Sequence, residues 1–253
     1  GRGGRRGDRK LAIGCLANLS MYLSDQYFSD IVGYSLQQAH NSTDKEEVRT
    51  FIQLIGQISQ YSGHRLGLFM EKIIPLISRT VASEAFEEDT EVKENCFQTY
   101  ESLVERCPRE ISGFVPTLVE EALTYLQYDP NYTGGGEDED EELEEEDDWG
   151  YASGESDDEF DYDVEDDDLS GKVRKACARL LSSIAICQPE TLPLLHQKVI
   201  PVLVQRFTER EEYVKLDVFH AFIALLRSTS KTYGRALASE KGRGVVQNLR
   251  GFV

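Results

Sequence analysis

The chain has few of the residue patterns from which catalytic and metal sites are built. Its five cysteines form no Cys-x-x-Cys pair, and none of its four histidines lies three or four positions from another histidine or a cysteine. Because zinc and redox centres need such close spacing, we expect no metal and no cofactor, and the cysteines fit free thiols in helix cores. Nucleophile elbows, phosphate loops and dinucleotide glycine patterns are also missing. The sequence therefore predicts a protein that is not an enzyme.

Long hydrophobic runs are missing as well. Charged residues interrupt the apolar stretches every three or four positions, so no window approaches the roughly 18 apolar residues of a membrane span. Alternating strand patterns joined by hairpin turns do not occur either. We therefore expect a soluble, all-α protein that makes no membrane contact.

Positive charge is missing from one segment. Residues 137–168 hold 21 Asp and Glu and no Lys or Arg. Subtracting these 21 from the total of 46 acids leaves 25 acids against 27 bases, so the rest of the chain is close to neutral. Since carboxylates repel one another and apolar residues are scarce here, the pattern predicts a disordered acidic insert over residues 133–168.

The acidic insert is compatible with several roles. It could be a solvated spacer, a counter-surface for a basic partner, or a flap over a basic groove of the protein itself. The alternating acids from Asp161 to Glu165 resemble a calcium loop, but they lack its glycine turn and its terminal glutamate, which disfavours calcium binding. Ser156 is followed by three acids, a context that suits acid-directed kinases, so Ser156 is a candidate phosphorylation site.

A repeat of 40 to 45 residues runs through the chain on both sides of the insert. Four valines, each followed by a basic residue, open helix-periodic stretches and stand 44, 81 and 41 positions apart: Val48, Val92, Val173 and Val214. Removing an insert of about 37 residues brings the middle spacing to 44. Prolines at 75, 116 and 201 lie in apolar stretches between these motifs and predict kinked or opened first helices. This pattern is typical of HEAT repeats, which form a right-handed solenoid; armadillo repeats, with a third short helix, are the main alternative.

The repeat sets the predicted domain limits and binding residues. We expect HEAT repeats at 8–132 and 169–230, the insert at 133–168, and an irregular tail at 231–253 that is either genuine or an artefact. The second helix of each repeat should line a concave surface suited to one long protein partner. The basic residues at the repeat position are therefore candidate partner-binding residues: Arg49, Lys93, Arg174 and Lys215. Alternatively, these bases form inter-repeat ion pairs with acids such as Glu91 or Asp217.

Nucleic acid is a disfavoured partner. The basic residues are not interleaved with exposed aromatics, and the acidic insert would repel phosphate.

Several passages, in their order along the chain, resemble one known family. They are GHRLG at 63–67, ESLVERCPRE at 101–110, LTYLQYDPNY at 123–132 with the acidic run directly behind it, and RFTEREEYVKLDVFHA at 206–221. Together they resemble the cullin-associated and neddylation-dissociated proteins over roughly residues 8–230. The resemblance implies a fragment from the N-terminal half of a large, monomeric HEAT solenoid found in cytoplasm and nucleus.

The same resemblance implies a function. Such a solenoid would wrap an unmodified cullin and its RING subunit and regulate cullin-RING ubiquitin ligases by substrate-receptor exchange. The alternative is a HEAT-built nuclear-transport receptor of the karyopherin type, because residues 144–149 resemble an acidic loop that grips basic cargo.

Overall fold

The computed structural model describes residues 2–128 and 169–234, with side chains over 7–128 and 170–234. Within these ranges every regular element is helical. The α-helices are α1 Arg2–Leu19, α2 Asp25–Asn41, α3 Lys45–Ser62, α4 Met70–Val81, α5 Thr90–Arg106, α6 Pro108–Ile111, α7 Val115–Leu126, α8 Leu169–Cys187, α9 Leu192–Gln205 and α10 Glu212–Tyr233. The predicted acidic insert, Ser156 and positions 235–253 of the predicted tail lie outside the described residues.

The helices form two layers. The second-helix layer consists of α1, α3, α5, α8 and α10, and each of these helices packs against the next one in this order. The first-helix layer consists of α2, α4, α7 and α9, which pack on α3, α5, α8 and α10 respectively. Each such pair is one repeat, so the predicted all-α HEAT-type solenoid of stacked two-helix units is confirmed.

The insert falls inside one repeat, as the spacing of the valines indicates. Helices α7 and α8 pack together as a first and a second helix, although residues 129–168 separate them in the sequence. The helical boundaries extend beyond the predicted repeats: α1 begins at Arg2 and α10 ends at Tyr233. Polar helix ends carry no apolar periodicity, so a pattern search does not detect them.

Acidic capping residues start the second helices α3 and α5. The side chain of Asp44 accepts a hydrogen bond from the backbone N–H of Glu46 at 2.9 Å, and that of Asp89 accepts one from Val92 at 3.1 Å. These carboxylates satisfy N–H groups that have no partner within the helix and oppose the positive end of the helix dipole.

The prolines occupy two kinds of position. Pro75 and Pro201 lie inside α4 and α9, whereas Pro116 lies in the first turn of α7, where its missing N–H costs nothing. Short helical segments at 63–69, 108–114 and 189–191 lead directly into α4, α7 and α9. They are one or two turns long, so each repeat keeps two full-length helices.

The core lies between the two layers, and the four repeat valines are all buried in it. The apolar side chains of α10 are only partly covered: Phe219, Ile223 and Leu226 remain 37%, 41% and 41% exposed. The reason is that α10 is the last described helix, so this side of it has no described neighbour to pack against.

Candidate functional site

The four predicted partner-binding bases lie at the beginnings of second helices, and Arg49 illustrates their surroundings. Its guanidinium forms an ion pair with Asp89, the capping residue of α5, and lies 3.4 Å from Glu46 and 3.9 Å from Glu91. Arg49 therefore ties α3 to the start of the next second helix. This is the inter-repeat contact that the sequence left open as the alternative.

Lys93 is buried, with 5% of its surface exposed. Its ammonium donates a hydrogen bond to the carbonyl oxygen of Glu87 at 2.6 Å and lies 4.9 Å from the ring centroid of Tyr125 and 5.8 Å from that of Tyr128. Loss of hydration lowers the pKa of Lys93, and the neighbouring acids Glu87 and Asp89 oppose that shift. The aromatic faces stabilise the cation that water no longer solvates.

Arg174 is 1% exposed and, like Arg49, forms an ion pair with an acid of the next repeat. Its Nε and Nη2 donate to the two carboxylate oxygens of Glu209 at 3.2 and 3.1 Å, and its Nη1 donates to the Ser170 hydroxyl at 2.6 Å. Arg206 adds a longer contact of 3.4 Å to the same carboxylate. This bidentate pair joins α8 to the turn that precedes α10.

Lys215 differs from the other three. It is partly exposed, and the described parts of the chain give its ammonium no hydrogen bond or ion pair. Asp217, the other acid expected to pair with a repeat base, instead lies 3.8 Å from His220. Partner contact remains a prediction for all four bases, and Lys215 is the one with an open ammonium.

The open face of the second-helix layer carries further ionisable groups, of which only Asp217 was expected from the sequence to form an ion pair. Acids on α5 face bases on α8, and an acid on α10 faces the same bases from the other side: Glu94, Glu101, Lys175, Arg179 and Asp217. The Nε of Arg179 lies 3.4 Å from the Glu101 carboxylate. Burial raises the pKa of Glu94, Glu101 and Asp217, and the α8 bases oppose that shift. We call this strip the charged face.

The repeat register could have located Glu101 of this face and the exposed positions beside it. Nine residues after the repeat valine, three successive second helices present Glu101, Ser182 and Ile223; thirteen residues after it, they present Glu105, Ile186 and Arg227. All six positions are exposed or partly exposed. The Val-Arg/Lys motif, which stands out in the sequence, makes mostly internal contacts in the structure.

The buried ionisable groups do not offer reactive chemistry. Burial raises the pKa of the Cys96 and Cys177 thiols, which keeps both protonated near neutral pH, and it raises the pKa of Cys107 to about 11. Among the described residues, no group of three His, Cys, Asp or Glu side chains could hold a metal ion. No helix in the described ranges combines the length and apolarity needed to cross a bilayer.

An extended layer of stacked helices with an open face of mixed charge defines a helical-repeat protein of the solenoid class. The crystal structure of an engineered protein has a similar fold, with a TM-score of 0.53 at 15% identity over 84% of this chain and 71% of that one. No family model matches the chain.

Curated relatives identify the family. Cullin-associated NEDD8-dissociated protein 1 of Dictyostelium discoideum is 35% identical over 237 residues, which are 92% of this chain and 19% of that protein. The protein of the same name from Arabidopsis thaliana is 37% identical over 222 residues, 87% of this chain and 18% of that protein. The chain belongs to the cullin-associated NEDD8-dissociated protein family and spans about a fifth of the length of these relatives.

These relatives confirm the predicted family, which is non-enzymatic and whose members are named as cullin-associated. Which part of the full-length relatives this chain corresponds to is a separate question. A relative from Emericella nidulans, named as the C-terminal part of cullin-associated NEDD8-dissociated protein 1, is 34% identical over 158 residues, 56% of this chain and 15% of that protein. Placement in the N-terminal half therefore stays a prediction.

Proposed function

We propose that this chain is part of a scaffold that wraps a cullin and its RING subunit when the cullin lacks its ubiquitin-like modifier, and that regulates ligase assembly by substrate-receptor exchange. The observation that carries the proposal is the charged face, which crosses α5, α8 and α10 without a break. The relatives of the chain are named for cullin association. A face that alternates acids and bases suits a long protein surface of mixed charge.

The nuclear-transport alternative receives no support from these names. Its acidic cargo loop would lie in the insert, outside the described residues. In this proposal the scaffold acts as a monomer, because a solenoid offers one continuous face to one partner rather than a closed self-complementary patch. Its location in cytoplasm and nucleus rests on the family resemblance alone.

A pull-down with the full-length parent protein tests the proposal. The baits are an unmodified cullin-RING complex, the same complex carrying its modifier, and the small GTPase of nuclear transport as a control. Capture by the unmodified complex alone is the expected result. Equal capture by both cullin forms would contradict the dependence on the modifier, and capture by the GTPase alone would establish the transport alternative.

Receptor exchange needs its own measurement. A preassembled cullin-RING complex carrying a fluorescent substrate receptor is mixed with excess unlabelled receptor, with and without the parent protein. We expect the parent protein to speed release of the labelled receptor at least tenfold. An unchanged release rate, in the presence of normal cullin binding, would reject exchange and leave a binding protein.

Charge reversals locate the contact. We expect Lys175→Glu with Arg179→Glu, on the charged face, to weaken cullin binding at least tenfold, since both bases face the partner surface and also Glu101 or Asp217. Lys215→Glu tests the remaining open repeat base. Lys72→Glu is the matched control, because Lys72 is exposed on α4 in the first-helix layer. Equal losses for control and charged-face variants would contradict this assignment.

A further inference from the structure

Beside the charged face, a groove of about 610 Å³ lies between the C-terminal halves of α8 and α10. We call it the basic groove. Its apolar part includes Ile186, whose surface is 61% exposed, together with Ala224 and Pro189. Ile186 is a β-branched apolar side chain presented to solvent on a helix whose neighbouring exposed positions are polar or charged. Burying it against a partner would be favourable in proportion to the apolar area covered.

Every ionisable side chain among the described residues that line the basic groove is basic. These side chains are His220, Arg227 and Lys231. The described ranges provide no carboxylate partner for Arg227 or Lys231, and the carboxylate nearest to His220 is Asp217 at 3.8 Å. Two other cations of the same layer are paired: Arg49 with Asp89, and Arg179 with Glu101. The basic groove thus combines an uncovered apolar floor with cations whose charge is not used within the fold.

We propose that the basic groove docks an acidic amphipathic helix of a protein partner, with apolar side chains on Ile186 and Ala224 and carboxylates against Arg227 and Lys231. A channel between two neighbouring helices accepts the ridge of a third helix, and apolar residues spaced three or four positions apart would follow it. Nucleic acid fits less well, because Glu101 and Glu105 on the neighbouring α5 would repel a phosphate backbone that continued across the face. The inference does not depend on cullin being the partner.

The test measures binding of designed fluorescent peptides to the whole chain by anisotropy. The first probe is a 20-residue alanine-based helix with leucines along one face and glutamates beside them; the second has lysines in place of the glutamates; the third is a single-stranded oligonucleotide of the same charge as the first. We expect the acidic peptide to bind at least tenfold more tightly than the other two probes.

A charge-swap variant makes the test specific to the basic groove. In the double variant Arg227→Glu with Lys231→Glu, the affinity for the acidic peptide should fall at least tenfold. This variant should bind the lysine peptide more tightly than the acidic one. Ile186→Ser should weaken both peptides. Lys45→Glu with Lys72→Glu, two exposed bases away from the groove, is the matched control and should change nothing. Circular dichroism checks that every variant keeps its helices.

Three outcomes would overturn the proposal. The first is equal affinity of the unaltered chain for the acidic and lysine peptides, or no measurable binding of either. The second is tighter binding of the oligonucleotide, which would make the groove a nucleic-acid site. The third is markedly tighter peptide binding after deletion of residues 137–168, which would assign the groove to the chain's own acidic insert. A pull-down that fails with cullin, by contrast, affects only the proposed function.

Discussion

The two ends of the second helices differ in how their charges are used. At the N-terminal ends, Arg49, Lys93 and Arg174 are bonded to neighbouring elements, and two of them are almost fully buried. At the C-terminal ends, Arg227 and Lys231 are exposed and have no acid partner in the described ranges. In three of the four repeats, the base that follows the repeat valine therefore ties neighbouring elements together, whereas the cations of the proposed docking groove stand at positions that vary from repeat to repeat.

The largest expected effect of a substitution is at Arg174. Arg174→Met leaves the Glu209 carboxylate buried without its bidentate partner, which should cost about 3–5 kcal/mol of unfolding free energy. Arg179→Met removes a half-exposed base from its pair with Glu101 and should cost at most about 1 kcal/mol. Urea unfolding followed by circular dichroism compares the two variants. Losses of equal size would mean that burial does not set how much these two ion pairs contribute to stability.

Asp89→Ala should give the next largest effect. The variant loses both the cap of α5 and the ion-pair partner of Arg49, so we expect a loss of about 1–2 kcal/mol. Asp44→Ala removes a cap that forms no ion pair with a repeat arginine, and about 1 kcal/mol is expected. The difference between the two unfolding free energies measures the inter-repeat pair. If the two losses are the same, Arg49 contributes nothing through Asp89.

A smaller, pH-dependent effect is expected at His196, which joins α9 to α10. The Thr229 hydroxyl donates to the Leu225 carbonyl at 2.7 Å, so the His196 Nε2, 2.7 Å from that hydroxyl, acts as a donor. Burial lowers the pKa of His196, so the unfolded chain binds the proton more tightly than the folded chain. Stability should therefore fall as pH drops from about 7.5 through the unfolded pKa of about 6.5.

Thermal unfolding between pH 7.5 and 5.5 checks this expectation. His196→Gln should flatten the pH dependence over that interval, while His64→Gln, at an exposed histidine, should leave it unchanged. A slope that His196→Gln does not alter would show that another group titrates.

The smallest expected effect on stability is at the basic groove. Arg227→Ala and Lys231→Ala should each change the unfolding free energy by less than about 0.5 kcal/mol, because neither side chain is buried or paired within the described fold. Urea unfolding of the single variants is sufficient. A loss above about 1 kcal/mol from either one would show that these cations serve the fold, as the bases at the N-terminal ends do.

Some of this architecture could be predicted because its signals are local. The Val-Arg/Lys motif and the prolines act within one or two helical turns, so the two-helix unit, its period and the position of the insert followed from them. The sequence did not show which group each of these bases contacts. Arg49 meets Asp89 and Arg174 meets Glu209 across 40 and 35 positions, and neither pairing leaves a periodic trace.

The charged face and the basic groove show the same limit. The acids of α5 and the bases of α8 are neighbours because α8 packs against both α7 and α5, although residues 129–168 separate α7 from α8 in the sequence. Sequence alone could mark those residues as polar, and the repeat register could mark them as exposed. It could not bring the helices together.

Sequence by itself thus determined the helical repeat, the separation of acidic insert from near-neutral body, and the family, because periodicity, charge and motif order are properties of neighbouring residues. Only the tertiary structure decided which cations form contacts within the fold and which remain accessible to a partner. Burial and pairing depend on side chains that helix stacking brings together. A buried charge is no longer hydrated, so it needs an ion pair or hydrogen bonds from neighbouring residues.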